Sequence, residues 1–483
     1  MNPESAKAIG QYFREQGYTE ENLSRFGLGE FSWRALGTLA ASDCAFADDP
    51  RLDLLVRLFY LGAGIKAGEG EDLIPAQILR ALTDCGLLER EGDRLRPNCS
   101  LSDFGDLLVA FDTRARIEDC GPDVVFGPNP TTQLLAKASM VCPGDNVLDL
   151  CTGCGSLALV AALKAATVTA SDVNQRALHF GRINVALNEV RNVTFVYGDR
   201  FEPVAGHRFN AIICNPPFFL APASGLLFSE NSMELDGFVE SLARNAPNFL
   251  APGGVFQMLC EWVEVESEPW VERLKRWFKG SHCDVHVWCG YEHDAAEYAR
   301  KRAFEQGQLL PESIGISLGR RVSYFTERRV NRIFGGLITL RRRSGENWFW
   351  VEEMQKRPTS FVGDALRERF LTRDLLETKT MDSLLQSHPR LAGQVCLVTE
   401  SVHKNGEWRV DKTYLERRDD LPATIIPDGV VEQLVARCDG SVTVEALLTE
   451  LASEHKVALD GIISEGLRVI KRLAELGMIL LKR

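Results

Sequence analysis

Two short runs hold the residues of this chain best equipped for chemistry. The first, Asn146-Val147-Leu148-Asp149-Leu150-Cys151-Thr152-Gly153-Cys154-Gly155, is a buried-strand pattern that opens through two glycines into the apolar helical run Ser156 to Ala166. Strand, tight turn and helix in that order form the phosphate- or nucleotide-binding entry of an open parallel sheet. Gly153 and Gly155 permit close backbone approach and leave N–H groups at the helix start, where a carboxylate or phosphate would sit. Asp172 closes the second strand, where an acid accepts the two hydroxyls of a ribose. Asp199, within Gly198-Asp199-Arg200-Phe201, closes the third, within reach of the far edge of an adenine. Together these positions suit a nucleoside cofactor. The second run, Asn215-Pro216-Pro217-Phe218, ends the fourth strand.

The elements that must position these residues alternate with little slack from Asn146 onward. Strands are predicted at Asn146 to Leu150, Val168 to Ser171, Val193 to Tyr197, Ala211 to Cys214, Val255 to Cys260 and Val285 to Trp288. Helices are predicted at Ser156 to Ala166, Asn174 to Asn188, Met233 to Leu250, Pro269 to Phe278 and Ala295 to Phe304. A helix over Leu318 to Ile333 and a strand Gly336 to Arg341, antiparallel to the rest, would complete seven strands. The fold class is α/β, a Rossmann-like doubly wound sheet. Ahead of it, Phe126 to Thr132 is a turn-rich entry into the helix Thr132 to Ala138. Its prolines and threonines are helix-initiation chemistry, or a lid over a bound cofactor.

Four regions follow. Residues 1–120 read as helices (Ala6 to Gln16, Asp53 to Gly62, Pro75 to Cys85) and a hairpin over Leu87 to Arg96, a winged-helix-like module whose helices carry no basic stripe and suit docking better than DNA reading. Residues 121–343 are the sheet domain. Residues 344–425 read as a connector, with two helices, a strand-like Gln394 to Thr399 and the charged run Glu416 to Asp420. Residues 426–483 repeat the helices-then-wing order, with helices at Val430 to Ala436, Val444 to Ser453 and Ile462 to Leu476 and a last strand near Met478 to Leu481.

Composition excludes several classes. An apolar share of 45% and a charged share of 25% in 483 residues are those of a folded, multidomain protein. No apolar run reaches membrane-spanning length and the first residues lack a signal core, so the expected location is cytoplasmic, without a membrane partner. The 13 cysteines follow no disulfide or zinc spacing and the 8 histidines no metal spacing. No metal is expected, and Cys151 and Cys154 read as small residues filling the turn. A net charge of −12 argues against a surface coated by nucleic acid. Eight arginines between Arg320 and Arg343, against the single acid Glu327, are either a local phosphate-binding patch or a solvated helix face.

The glycine turn offers no third glycine of a dinucleotide fingerprint. What the arrangement resembles is the class I S-adenosylmethionine-dependent methyltransferase family, over about residues 122–290. The resemblance implies S-adenosylmethionine as cofactor, lined by Asp149, Cys151, Thr152, Gly153, Gly155, Asp172, Val173, Asp199, Arg200 and Asn215. Cys151 departs from it, since many members carry glycine there, but cysteine is small. Asn215-Pro216-Pro217-Phe218 resembles the N-P-P-[FY] motif of enzymes that methylate planar nitrogens: nucleobase amines in the small-domain rRNA N-methyltransferases, and glutamine side chains in the HemK-type release-factor enzymes.

Planar nitrogens explain those residues. A conjugated amine has a delocalised lone pair and must be turned before it attacks a sulfonium methyl. The Asn215 side-chain oxygen and the Pro216 carbonyl, the expected catalytic pair, can accept both amine hydrogens and hold the lone pair in line. Pro217 and Phe218 would bind the acceptor, Phe218 by stacking. No general base of tuned pKa is required, since the product proton can leave to water. Within the resemblance, phenylalanine after the prolines is more often associated with nucleobase enzymes, which implies an exocyclic amine of a nucleobase in RNA as acceptor, with protein glutamine as the alternative. A binding module with a retired core is the remote third reading, opposed by the intact Asp149, Gly153, Gly155, Asp172 and Asn215.

Overall fold

A computed structural model describes residues 2–25, 28, 48–119, 121–220, 233–307, 314–378, 380–393, 395–418 and 421–482, in two compact units, Met1–Met354 and Gln355–Arg483. The first unit is organised on one sheet whose strands are β1 (Asn146–Leu150), β2 (Thr167–Asp172), β3 (Val193–Tyr197), β4 (Phe209–Cys214), β5 (Leu250–Val265), β6 (Cys283–Asp294), β7 (Val330–Arg342) and β8 (Phe349–Glu353). Their spatial order is β8-β6-β7-β5-β4-β1-β2-β3. Strands β5, β4, β1, β2 and β3 pair in parallel, whereas β7 runs antiparallel to both β5 and β6. The middle strands read as nearly unbroken apolar runs because helices cover both faces: Val147, Leu148, Leu150, Ile212, Ile213 and Cys214 are all buried.

Three of these strands are longer than their sequence suggests. β5, β6 and β7 run 16, 12 and 13 residues. The strand predicted to end at Cys260 continues through Glu261, which is fully buried and paired inside the protein, and the strand predicted to end at Trp288 continues to Asp294. The helix predicted to reach Ile333 stops at Glu327, because Arg329 adopts a left-handed φ of 52° and β7 begins at Val330. The sheet also has eight strands rather than the seven expected. Phe349–Glu353, read as connector, pairs in parallel with β6 (Val285 opposite Phe349).

The helices around the site are α1 (Pro130–Ala138), α2 (Ser156–Ala162), α3 (Gln175–Leu187), α4 (Gly237–Asn245), α5 (Trp270–Phe278), α6 (Ala295–Gly307) and α7 (Ile314–Glu327). Ahead of them, the helices Pro3–Glu15, Pro50–Leu55, Ala67–Leu73 and Ala76–Asp84 precede the hairpin Leu88–Glu91 and Arg94–Pro97, with Ile65–Lys66 pairing on its inner strand. A second hairpin, Ser100–Asp103 and Leu108–Phe111, docks on α3 through amide side chains that imitate a strand edge. Asn184 accepts from the Ala110 N–H at 2.7 Å and donates to its carbonyl at 2.9 Å, and Asn188 does the same at Leu108. Buried Asp112 then pairs with Arg176 at the start of α3, which fixes the path of the chain toward α1.

In the second unit, the stretch read as a connector supplies the helix Gly363–Thr378 and the hairpin Val395–Lys404 and Glu407–Arg417. Gln394, Asp419 and Asp420, parts of the strand and charged run expected there, lie outside the described residues. Helices Gly429–Ala436, Val444–His455 and Leu459–Glu475 close on a core that includes Leu434, Leu448, Leu451, Leu467, Ile470 and Leu473. The last strand, Ile479–Lys482, pairs antiparallel with His388–Leu391.

Candidate active site

Strand order reverses between β1 and β4, and the register there brings the two sequence runs together. Leu150 lies opposite Cys214, so the glycine turn and Asn215 leave the sheet side by side at its carboxyl edge. Leu150 also faces Ser171, and Asp172 faces Tyr197, which sets Asp172 and the Gly198-Asp199 turn in the same row. This crevice is where open α/β sheets bind ligands.

The turn itself is built from left-handed residues. Cys151, Gly153 and Gly155 have φ of 60°, 56° and 82°. For the glycines this conformation is free, but for Cys151 it is strained by about 1 kcal/mol. Gly155 is also required by space: a Cβ there would lie 3.2 Å from the Gly181 Cα, and one at Gly181 would lie 2.3 Å from the Phe195 ring. The Thr152 N–H donates to the Ser171 carbonyl at 3.0 Å and its hydroxyl donates to Asp149.

Three acids differ in their surroundings. Asp149 is fully buried, and among the described residues its Oδ1 has no hydrogen-bond partner. Burial pushes its carboxyl up to about 7, against the Thr152 hydroxyl and the Ala158 N–H, with nearby Asp172 adding to the rise. Asp172 accepts from the Asn174 N–H at 2.8 Å and the Gly153 N–H at 2.9 Å, tying the end of β2 to the glycine turn. Burial raises its carboxyl above the ordinary range, and those N–H groups pull it back. Asp199 is half-exposed and pairs with the neighbouring Arg200 at 2.8 Å, beyond exposed Val173.

Asn215 is oriented by residues the sequence reading did not assign. Its Nδ2 donates to the Thr132 hydroxyl at 3.3 Å, and that hydroxyl donates to Asn129 Oδ1 at 3.1 Å. Asn129 is the N-cap of α1 and accepts from the Thr131 and Thr132 N–H groups, both at 3.0 Å. Because the single hydroxyl hydrogen is committed to Asn129, Thr132 can only accept from Asn215. The amide nitrogen therefore faces the protein, and Asn215 Oδ1 is left, among the described residues, without a partner. The Asn129-Pro130-Thr131-Thr132 capping run was the available signal, but nothing local links it to Asn215.

Phe218, expected to offer an open stacking face, is buried and meets Phe219 edge-on, with centroids 5.1 Å apart at 88°. The arginine run is dispersed over α7 and β7; among the described residues five of its eight arginines pair with acids, while Arg321 and Arg342 donate to backbone carbonyls. Arg328 pairs with Glu234 at 2.6 Å, Arg329 with Glu266 at 3.6 Å and Arg332 with Glu292 at 2.7 Å, while Arg341 and Arg343 share the buried Asp284. Among the described residues no group of three or more His, Cys, Asp or Glu could hold a metal ion, and no helix is long and apolar enough to cross a membrane.

Comparison with known proteins places this geometry. The family described as methyltransferase small domain matches residues 127–282, and a domain of unknown function (DUF7059) matches residues 15–98. A ribosomal protein uL3 glutamine methyltransferase of Bradyrhizobium diazoefficiens is 37% identical over 24% of this chain and 40% of its own length. A release factor glutamine methyltransferase of Yersinia pestis is 26% identical over 48% of this chain and 86% of its own. A T. thermophilus 16S rRNA methyltransferase, solved in complex with AdoMet and guanosine, is 18% identical, covering 46% of this chain and 60% of its own at a TM-score of 0.28. The chain spans between about two fifths and three fifths of the length of the first curated relatives it matches. The crevice formed by β1, β2 and β4, with its glycine turn and Asn-Pro-Pro-Phe run, lies inside the residues that match the methyltransferase small domain family.

Proposed function

We propose that this chain is an S-adenosylmethionine-dependent N-methyltransferase acting on a planar nitrogen, and that the acceptor is a glutamine side chain of a protein. The observation that carries the reading is Asn215, whose amide is turned by Thr132 so that Oδ1 is offered beside the glycine turn. The residues fit the cofactor. Left-handed Cys151, Gly153 and Gly155 clear the backbone for close approach, and Asp172 at the end of β2 suits ribose hydroxyls. When bound, S-adenosylmethionine supplies an electrophilic methyl on a sulfonium. The chain supplies orientation: Asn215 Oδ1 and the Pro216 carbonyl accept the two hydrogens of the acceptor amide, lift its lone pair out of conjugation and aim it. The prolines stiffen this segment, and the product proton leaves to water.

The RNA acceptor favoured by the sequence gives way to glutamine for two reasons. The curated relatives bear the names of glutamine methyltransferases, and the arginines that were to meet phosphates are neutralised by Glu234, Glu264, Glu266 and Glu292. Residues 1–120 and 426–483 are read as winged-helix-like modules that dock partners, in a cytoplasmic protein. The test is incubation with labelled S-adenosylmethionine, unmethylated release factor, ribosomal protein uL3 and total RNA. Label recovered as methylglutamine supports the reading, and label confined to RNA overturns it.

A further inference from the structure

The segment after the Asn-Pro-Pro-Phe run is held by a buried polar network that the cofactor site does not need. Leu220 is 1% exposed, its N–H donates to the Tyr298 hydroxyl at 3.1 Å, and its carbonyl accepts from Arg321 at 3.2 Å. The Arg302 guanidinium lies 3.6 Å from the centre of the Phe219 ring. Tyr298 and Arg302 both lead to Glu261, which is fully buried and accepts from the Tyr291 and Tyr298 hydroxyls while pairing with Arg302. Since Tyr298 commits its one hydrogen to Glu261, its lone pair is presented to Leu220, so the carboxylate sets the direction of that contact.

Each part comes from the long ends of β5 and β6 and from α6 and α7, beyond the strands that form the cofactor crevice. Room for it is made in β7: a Cβ on Gly335 would lie 2.4 Å from the Tyr291 hydroxyl. Apolar residues of similar volume often stabilise a fold as well as a buried ion pair does, which directs attention to the placement this one enforces.

We propose that Glu261, Tyr298, Arg302 and Arg321 are positioning residues that anchor the buried backbone at Leu220 and so fix Phe219 as the wall against which the acceptor docks, directly beyond Asn215. This rests on the methyl-transfer reading above. In the full chain, Tyr298→Phe should speed amide exchange of a peptide containing Leu220 at least about tenfold, with exchange at Gly153 and cofactor affinity unchanged. The same variant should raise KM for whichever of release factor or uL3 takes label by about fivefold or more, with a smaller change in kcat. Arg302→Lys keeps the ion pair but loses the planar face over Phe219, and should move KM in the same direction by less. Unchanged exchange at Leu220, or faster exchange with KM unmoved in both variants, overturns the proposal. Wild-type protein that labels no acceptor overturns the methyl-transfer reading itself, a result distinct from either.

Discussion

Removing the Thr132 hydroxyl separates the two things Asn215 must do, accept a hydrogen bond and face the right way. In Thr132→Val the Nδ2 contact at 3.3 Å is lost while the Asn215 oxygen remains. One neutral hydrogen bond of that kind contributes about 0.5–1.5 kcal/mol, so the fall in kcat should be roughly twofold to tenfold. Asn215→Ala removes the acceptor itself and should cost about a hundredfold. Because Thr132 acts only through Asn215, the double variant should be no slower than Asn215→Ala alone. Thr132→Ser keeps the hydroxyl and should stay near wild type. α1 should survive each change, since Asn129 remains as its N-cap. Single-turnover transfer at saturating labelled S-adenosylmethionine measures the rates, and calorimetry should show cofactor affinity largely unchanged. A double variant that loses the product of the two single effects would refute the relay.

Asp149 gives a pH dependence whose sign is set by burial: its carboxyl rises from 3.8 to about 7 on folding. The stability tied to it is fully present below about pH 4 and is lost as pH rises through about 7, about 4 kcal/mol over some three units. Urea midpoints between pH 4 and 8 should therefore fall less steeply for Asp149→Asn than for wild type, and parallel curves would contradict this. Asp172→Ala should weaken S-adenosylmethionine by at least about tenfold in calorimetry, with Asp172→Asn between it and wild type because one N–H acceptor survives; equal affinity in the three proteins would remove Asp172 from the site. Gly181→Ala, whose Cβ would lie 2.3 Å from the Phe195 ring, should cost about 1–3 kcal/mol in urea unfolding, and adding Phe195→Leu should return part of it.

What could be read from the sequence was set by short-range chemistry. The strands at Asn146–Leu150 and Val193–Tyr197 lie where their apolar pattern put them, and the glycine turn follows from residues that are neighbours in the chain. The parts that escaped depend on partners far away. Thr132 and Asn215 are 83 positions apart, and Glu261 and Arg302 are 41 apart. The strand predicted to end at Cys260 runs on through the acid Glu261. Its true end is decided by a guanidinium arriving from α6, which makes burial of Glu261 affordable and lets the strand continue to Val265. β8 escaped because five residues rich in acids carry too weak an alternation to announce a strand, yet β6 offers them an open edge.

The arginine run inverts the same argument. Counting charges along Arg320 to Arg343 found one acid, and a phosphate patch was a fair reading of that count. In the fold, the neighbours of Arg332 are Glu264 on β5 and Glu292 on β6, strands that pair or share the sheet with β7 and whose acids no window on the run contains. Charge on a β-strand is balanced across the ladder, so net charge along a segment predicts its field only where the segment has no cross-strand partners. Here it has them on both sides.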